Sequence, residues 1–116
     1  MNIVVTSPKT TDITHKVEDP YNSFWSLKRR PKKLKVGDIV WIVVKGAIVG
    51  GFSVRKIVRA KNPVKDAIGH NPPDCWRIWF GENVDYNELV KQKVLSSDGD
   101  FLIKVRGFQG FRYQWW

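Results

Sequence analysis

Cysteine and histidine are nearly absent from this chain. Its 116 residues hold one cysteine, Cys75, and two histidines, His15 and His70, in separate polar stretches. An internal disulfide is impossible, and a structural zinc site has no cluster of ligands to draw on. No metal and no cofactor is expected. Long apolar runs are missing too. The longest, Ile39 to Val44, falls far short of the about 20 residues that cross a bilayer, so no membrane contact is expected. The opening Met1-Asn2-Ile3-Val4-Val5 lacks a basic n-region and a long h-region, so no secretory signal is expected. With the lone thiol, this points to a cytoplasmic, intracellular protein. There is no Gly-rich phosphate loop, nucleophile elbow or HExxH. Asp98 and Asp100 straddle Gly99 without the remaining ligands of a calcium loop and mark a turn instead. Cys75, after Asp74, reads as a small buried residue.

Acidic residues are scarce where basic ones crowd. Twelve of the twenty Lys and Arg residues fall between Lys28 and Lys65, beside one acid, Asp38. That window carries +11 of charge and the remainder −2, against +9 for the whole chain. The densest part is Lys28-Arg29-Arg30-Pro31-Lys32-Lys33-Leu34-Lys35. A concentrated positive stripe beside a small β-rich core is the electrostatic footprint of a protein that meets a polyanion. Lys28, Arg29, Arg30, Lys32, Lys33, Lys35 and Arg55 are the candidate phosphate ligands. A solvated, solubilising loop is the plain alternative. Lys and Arg on phosphate position a nucleic acid without reading its sequence.

Six tryptophans are many for this length, and the last two residues are Trp115-Trp116. A small core needs only a few large rings, which leaves others for stacking on a ligand. The terminal pair is open to three roles: a stacking surface, a plug, or a homodimer contact, with Arg106, Arg112 and Tyr113 flanking it.

The length and the 42% apolar content fit one globular domain over residues 1–116. Residues 2–6 form a β-branched run ended by Ser7-Pro8, a first strand. Residues 9–17 are polar and irregular. Asp19-Pro20 has the form of a helix start, and Tyr21, Phe24, Trp25 and Leu27 follow at helical spacing, so a short helix is predicted before Pro31. Val36-Gly37-Asp38 turns into a strand over 39–45. Gly46-Ala47 reverses the chain into a second strand over 48–58, with a bulge or bend at Gly50-Gly51. Residues 62–73 are loop-like.

In the strand over 75–80, Trp76, Ile78 and Phe80 share one face. Arg77 and Trp79 share the other, outward if the first face is core and merely packed if both sides are covered. Asp85 caps a helical turn, and 91–95 and 101–105 flank a hairpin connection at 96–100. The result is an α+β chain built around a small mixed β-barrel with one or two short helices.

The run Lys35-Val36-Gly37-Asp38 through Val54, together with a first strand ending in Ser7 and the basic loop, resembles the PUA-like superfamily in its EVE, YTH and ASCH branches. Val36-Gly37-Asp38 and Gly50-Gly51-Phe52 sit at matching places. The resemblance implies a pseudo-barrel that binds RNA or a modified base in an aromatic-lined pocket. Carried over by position, Thr6 and Ser7 lie at the pocket rim, Trp25 near its wall, and Asp38 is structural. The ASCH pattern of Gly, Lys and Glu near the first helix is absent.

The leading expectation is a non-catalytic nucleic-acid-binding module, RNA favoured over modified-base DNA. Its basic loop meets phosphates, while Thr6, Ser7, Trp25, Arg77 and Trp79 meet a base. Two alternatives stand beside it. One is a hydrolase of modified nucleosides, assembled from Thr6 or Thr14, a tract lysine and Glu18. The other is an assembly domain using the terminal Trp pair.

Overall fold

A computed structural model describes residues 1–7, 17–60, 75–108 and 110–116. The loops expected over 9–16 and 62–73 lie outside the described residues. The described strands are β1 (Ile3–Thr6), β2 (Phe24–Leu27), β3 (Ile39–Val44), β4 (Ala47–Ala60), β5 (Cys75–Asn83) and β6 (Phe111–Tyr113). A 3-10 turn at Pro20–Asn22 and one helix, α1 (Tyr86–Lys91), complete the described elements. The strands form one sheet in the order β2-β5-β4-β3-β1-β6, with β1 parallel to β3 and the other pairs antiparallel. This mixed sheet curls into a half-barrel. Among the described residues, no helix is long and apolar enough to cross a membrane.

β3 shows why an uninterrupted apolar run is needed. Val40 and Ile42 face the barrel interior with Ile3, Val5, Phe52, Val54, Ile78 and Phe80. Trp41 and Val43 face the other way, into a second cluster with Val4, Ile48 and Val94, packed against Leu89, Ile103, Val105 and Trp116. Both faces are covered, so alternation with polar residues has no place to appear. Within the interior cluster the rings of Phe52 and Phe80 stack at 4.4 Å, 8° from parallel.

The hairpin between β3 and β4 turns at Lys45-Gly46, one residue earlier than expected. Both have positive φ, 51° and 81°, the pattern of a two-residue type I′ turn. The expected bend in β4 is present, at its neighbour. Ile42 pairs with Gly50 and Val43 with Ile48, so Val49 is the extra, bulged residue. Gly51 has a separate role: a Cβ there would sit 2.7 Å from Cε3 of the buried Trp41. Against β5 the register slips again on either side of Val54. These slips bend the 14-residue strand so that it serves both halves of the sheet.

The helix predicted over Tyr21 to Leu27 does not form. Asp19 makes no side-chain cap; its carboxylate accepts from Asn22 Nδ2 and its carbonyl from Ser23 Oγ, both at 2.8 Å. One 3-10 turn then gives way to β2, which pairs in register with Trp76 to Trp79 of β5. An isolated helix this short is marginal in water, and the ladder to β5 outweighs it. Asp85 caps α1 as expected, accepting from Glu88 N–H at 2.8 Å. The hairpin expected beyond it is reduced to one bridge, Leu95 to Phe101. Residues 103–105 pair instead with the start of β4, through Ile48 N–H to Ile103 O and Val105 N–H to Gly46 O.

Candidate nucleic-acid interface

The half-barrel leaves two edges, β2 and β6, and the basic tract runs along the seam between them. Its path is set by two buried residues, Pro31 and Leu34, joined by a Leu34 N–H to Pro31 O bond of 3.2 Å. Around these anchors Lys28, Arg29, Arg30, Lys32, Lys33 and Lys35 are all exposed. The tract is tied to β6 where Lys33 N–H donates to Tyr113 Oη at 3.0 Å.

Asp38, the one acid of the window, is used to hold the turn. Its carboxylate accepts from Lys35 N–H at 2.8 Å and from the Met1 ammonium at 2.7 Å. Desolvation raises its pKa, but these hydrogen bonds and the nearby positive charges outweigh it and hold the carboxyl below its ordinary value. Among the described residues the Met1–Asp38 contact is the one ion pair.

Two adjoining clefts open on the seam. The first, about 480 Å³, lies between Thr6 of β1, Trp25 to Leu27 of β2, and Gly110 with Phe111 at the start of β6. The second, about 900 Å³, is lined by Arg30, Lys32, Lys33 and Arg112 with the rings of Trp76 and Tyr113. Lys28, Arg29 and Phe111 line both, which makes one groove of them. Arg30 lies over Trp76 at 5.3 Å and Lys33 over Tyr113 at 6.0 Å. Thr6 Oγ1 is buried in this setting and has no hydrogen-bond partner. The groove therefore offers rings to stack on and cations for an anionic chain.

The outer face of the same strands is a different surface. Trp25 pairs with Ile78 and packs toward the interior, whereas Phe24 pairs with Trp79 and Ser26 with Arg77. Trp79 has Phe24 at 4.8 Å, with Lys56 at 5.1 Å and Arg55 at 5.7 Å over its ring. Arg77 lies over Phe24 at 4.7 Å, and its Nε is buried without a partner.

No protein-family model matches the chain, and no curated protein matches it significantly. A solved structure does resemble it. The crystal structure of a mutant ASCH protein from Zymomonas mobilis aligns with a TM-score of 0.56 over 97% of this chain and 89% of that one, at 7% sequence identity. The likeness is one of fold: this chain and that ASCH protein share a fold.

On this frame the sequence-derived residues separate into groups. Thr6, Trp25, Lys28 and Arg29 meet in the first cleft, and Arg30, Lys32 and Lys33 in the second. Lys35 sits beyond them on the Asp38 turn. Ser7 is buried beside a further cavity of about 560 Å³, with Lys45 and Gly107, which shares Thr6 with the first cleft, and its N–H donates to Val43 O. Arg77 and Trp79 belong to the outer face. So does Arg55, which donates to Phe80 O and Tyr21 O and stacks on Tyr21 at 3.9 Å.

Trp116 packs at 5.8 Å on Trp41 and donates to Gln92 O, while Trp115 is 51% exposed. Thr14 lies outside the described residues, and Glu18 is exposed and lines neither cleft. Sequence reasoning did not place Phe111, Tyr113 or Trp76 in the groove. The alternation of rings and a cation in Phe111-Arg112-Tyr113 was the available signal.

Proposed function

We propose that the protein is a nucleic-acid-binding module that takes a base of single-stranded RNA in the seam groove and its phosphates on the basic tract. The observation that carries this reading is the continuous seam groove, in which Lys28, Arg29 and Phe111 line both clefts and cations stand beside rings. Trp25 and Phe111 offer stacking, worth about 1–3 kcal/mol per base. A duplex keeps its bases stacked and paired, so a groove of this make-up suits an unpaired strand. Both clefts are lined by cations, rings and hydroxyls, a composition that suits a polyanion.

Titration with single-stranded RNA, single-stranded DNA and duplex RNA at several salt concentrations tests the reading. Single-stranded RNA should bind most tightly, with log K falling against log salt by about 0.7 per phosphate neutralised. Affinity indifferent to salt, or no binding below about 100 μM, the weak end of nonspecific association, would overturn it.

A further inference from the structure

The outer face of β2, β5 and β4 has the components of a ligand site that the seam does not use. Strand pairing sets Phe24, Trp79 and Lys56 in one row across the three strands, and Ser26, Arg77 and Val58 in the next. Within these strands the sole acid is Glu82, near the end of β5. The Arg77 guanidinium lies over Phe24, and its buried Nε has no acceptor.

We infer that this face is a second nucleotide site, with a base against Trp79 and phosphate on Arg77 and Lys56. The ligand is then a single strand that passes over the β2 edge, not a free nucleoside. β2 is four residues long and lies at the edge of the sheet, so its two faces are neighbouring surfaces. Trp25 looks into the seam and Phe24 out. The cations of 28–30 follow β2 directly, where a backbone crossing from one face to the other would run.

Each side chain of the outer site has an assigned part. Lys56 is exposed, and its ammonium sits 5.1 Å over the Trp79 ring, where an incoming base would lie. Base stacking is worth more than an exposed cation–π contact, so the base displaces Lys56, whose ammonium then serves the phosphate. Arg77, half-buried with its guanidinium over Phe24, adds a second cation beside the base. Arg55 is held beside them by its bonds to Phe80 O and Tyr21 O, which use two of its five N–H groups. An acidic peptide would satisfy the two cations yet leave Trp79 without a stacking partner.

The inference rests on the nucleic-acid reading, but not on the seam groove. The test compares a single-stranded RNA trimer with a decamer, using Lys56→Glu and Trp79→Leu on the outer face and Arg29→Glu at the seam. Lys56→Glu and Trp79→Leu should weaken decamer binding about tenfold and leave the trimer unchanged. Lys56→Glu should also reduce the decamer's salt slope by about 0.7. Arg29→Glu should weaken both ligands. Lys56 is exposed, so its variant carries the test even if Trp79→Leu unfolds.

An unchanged decamer affinity in Lys56→Glu overturns the second site and leaves the seam reading standing. Loss in Lys56→Glu with none in Arg29→Glu keeps the second site and overturns the seam. Equal losses for trimer and decamer in Lys56→Glu overturn the second site. So does polyglutamate that competes as well as the decamer, since charge alone would then explain binding.

Discussion

Thr6 Oγ1 and Arg77 Nε are the two buried side-chain polar atoms without a hydrogen-bond partner among the described residues. Folded proteins rarely leave such groups unpaired, and each orphan invites an explanation. Thr6 stands between the first seam cleft and the cavity beside Ser7, and Arg77 belongs to the outer face. If Thr6 is kept polar for a ligand, its hydroxyl is a cost to the free protein. Thr6→Val keeps the shape and removes the unsatisfied group. The variant should be as stable as the parent or up to about 1 kcal/mol more so in denaturant unfolding, while its affinity for single-stranded RNA falls. A structural Thr6 would behave in the opposite way, with lower stability and unchanged binding. Gly51, by contrast, is explained wholly by packing, because the Trp41 ring occupies the space that a Cβ would take.

The elements differ in how plainly they could be read. β3 was legible because both of its faces are buried, which requires an apolar run whatever its partners. α1 was legible from its local cap at Asp85. β2 was not. Tyr21, Phe24, Trp25 and Leu27 satisfy helical spacing, and Trp25 and Leu27 also satisfy strand alternation; only pairing with β5, far along the chain, decides between them. The site divides the same way. The tract showed itself through charge, while its closing wall at Phe111 to Tyr113 depends on β6 pairing with β1, which no local pattern signals. The turn at Lys45-Gly46 yields a prediction. Lys45 holds φ 51°, a left-handed conformation that costs a lysine about 1 kcal/mol and suits asparagine better. Lys45→Asn should raise the unfolding free energy by about 0.5 kcal/mol, measured by denaturant titration. A lower value would mean that Lys45 makes a stabilising contact that outweighs its backbone strain.

For the molecule as a whole, the tract places repulsion and function in the same residues. Six exposed cations lie within eight residues, and the nearby acid, Asp38, is occupied by a backbone N–H and the Met1 ammonium. Like charges packed this closely oppose the compact state, and mobile ions relieve them. The screening length shrinks from about 30 Å at 0.01 M salt to about 8 Å at 0.15 M. The folded protein should therefore gain stability over that range, with a higher melting temperature. Its affinity for single-stranded RNA should fall over the same range, because bound phosphates compete with the same ions. The two effects share one cause, so a single variant should remove both. Replacing Arg29 and Lys32 together by Glu should flatten the salt dependence of melting, raise the melting temperature at 0.01 M salt and weaken RNA binding. The pair is suitable because both side chains are exposed and both line the groove. Thermal melts and RNA titrations at matched salt concentrations make the measurement. A melting temperature that falls as salt is added, or that drops in the double variant, would show the tract cations to be held by stabilising partners rather than kept free for phosphate.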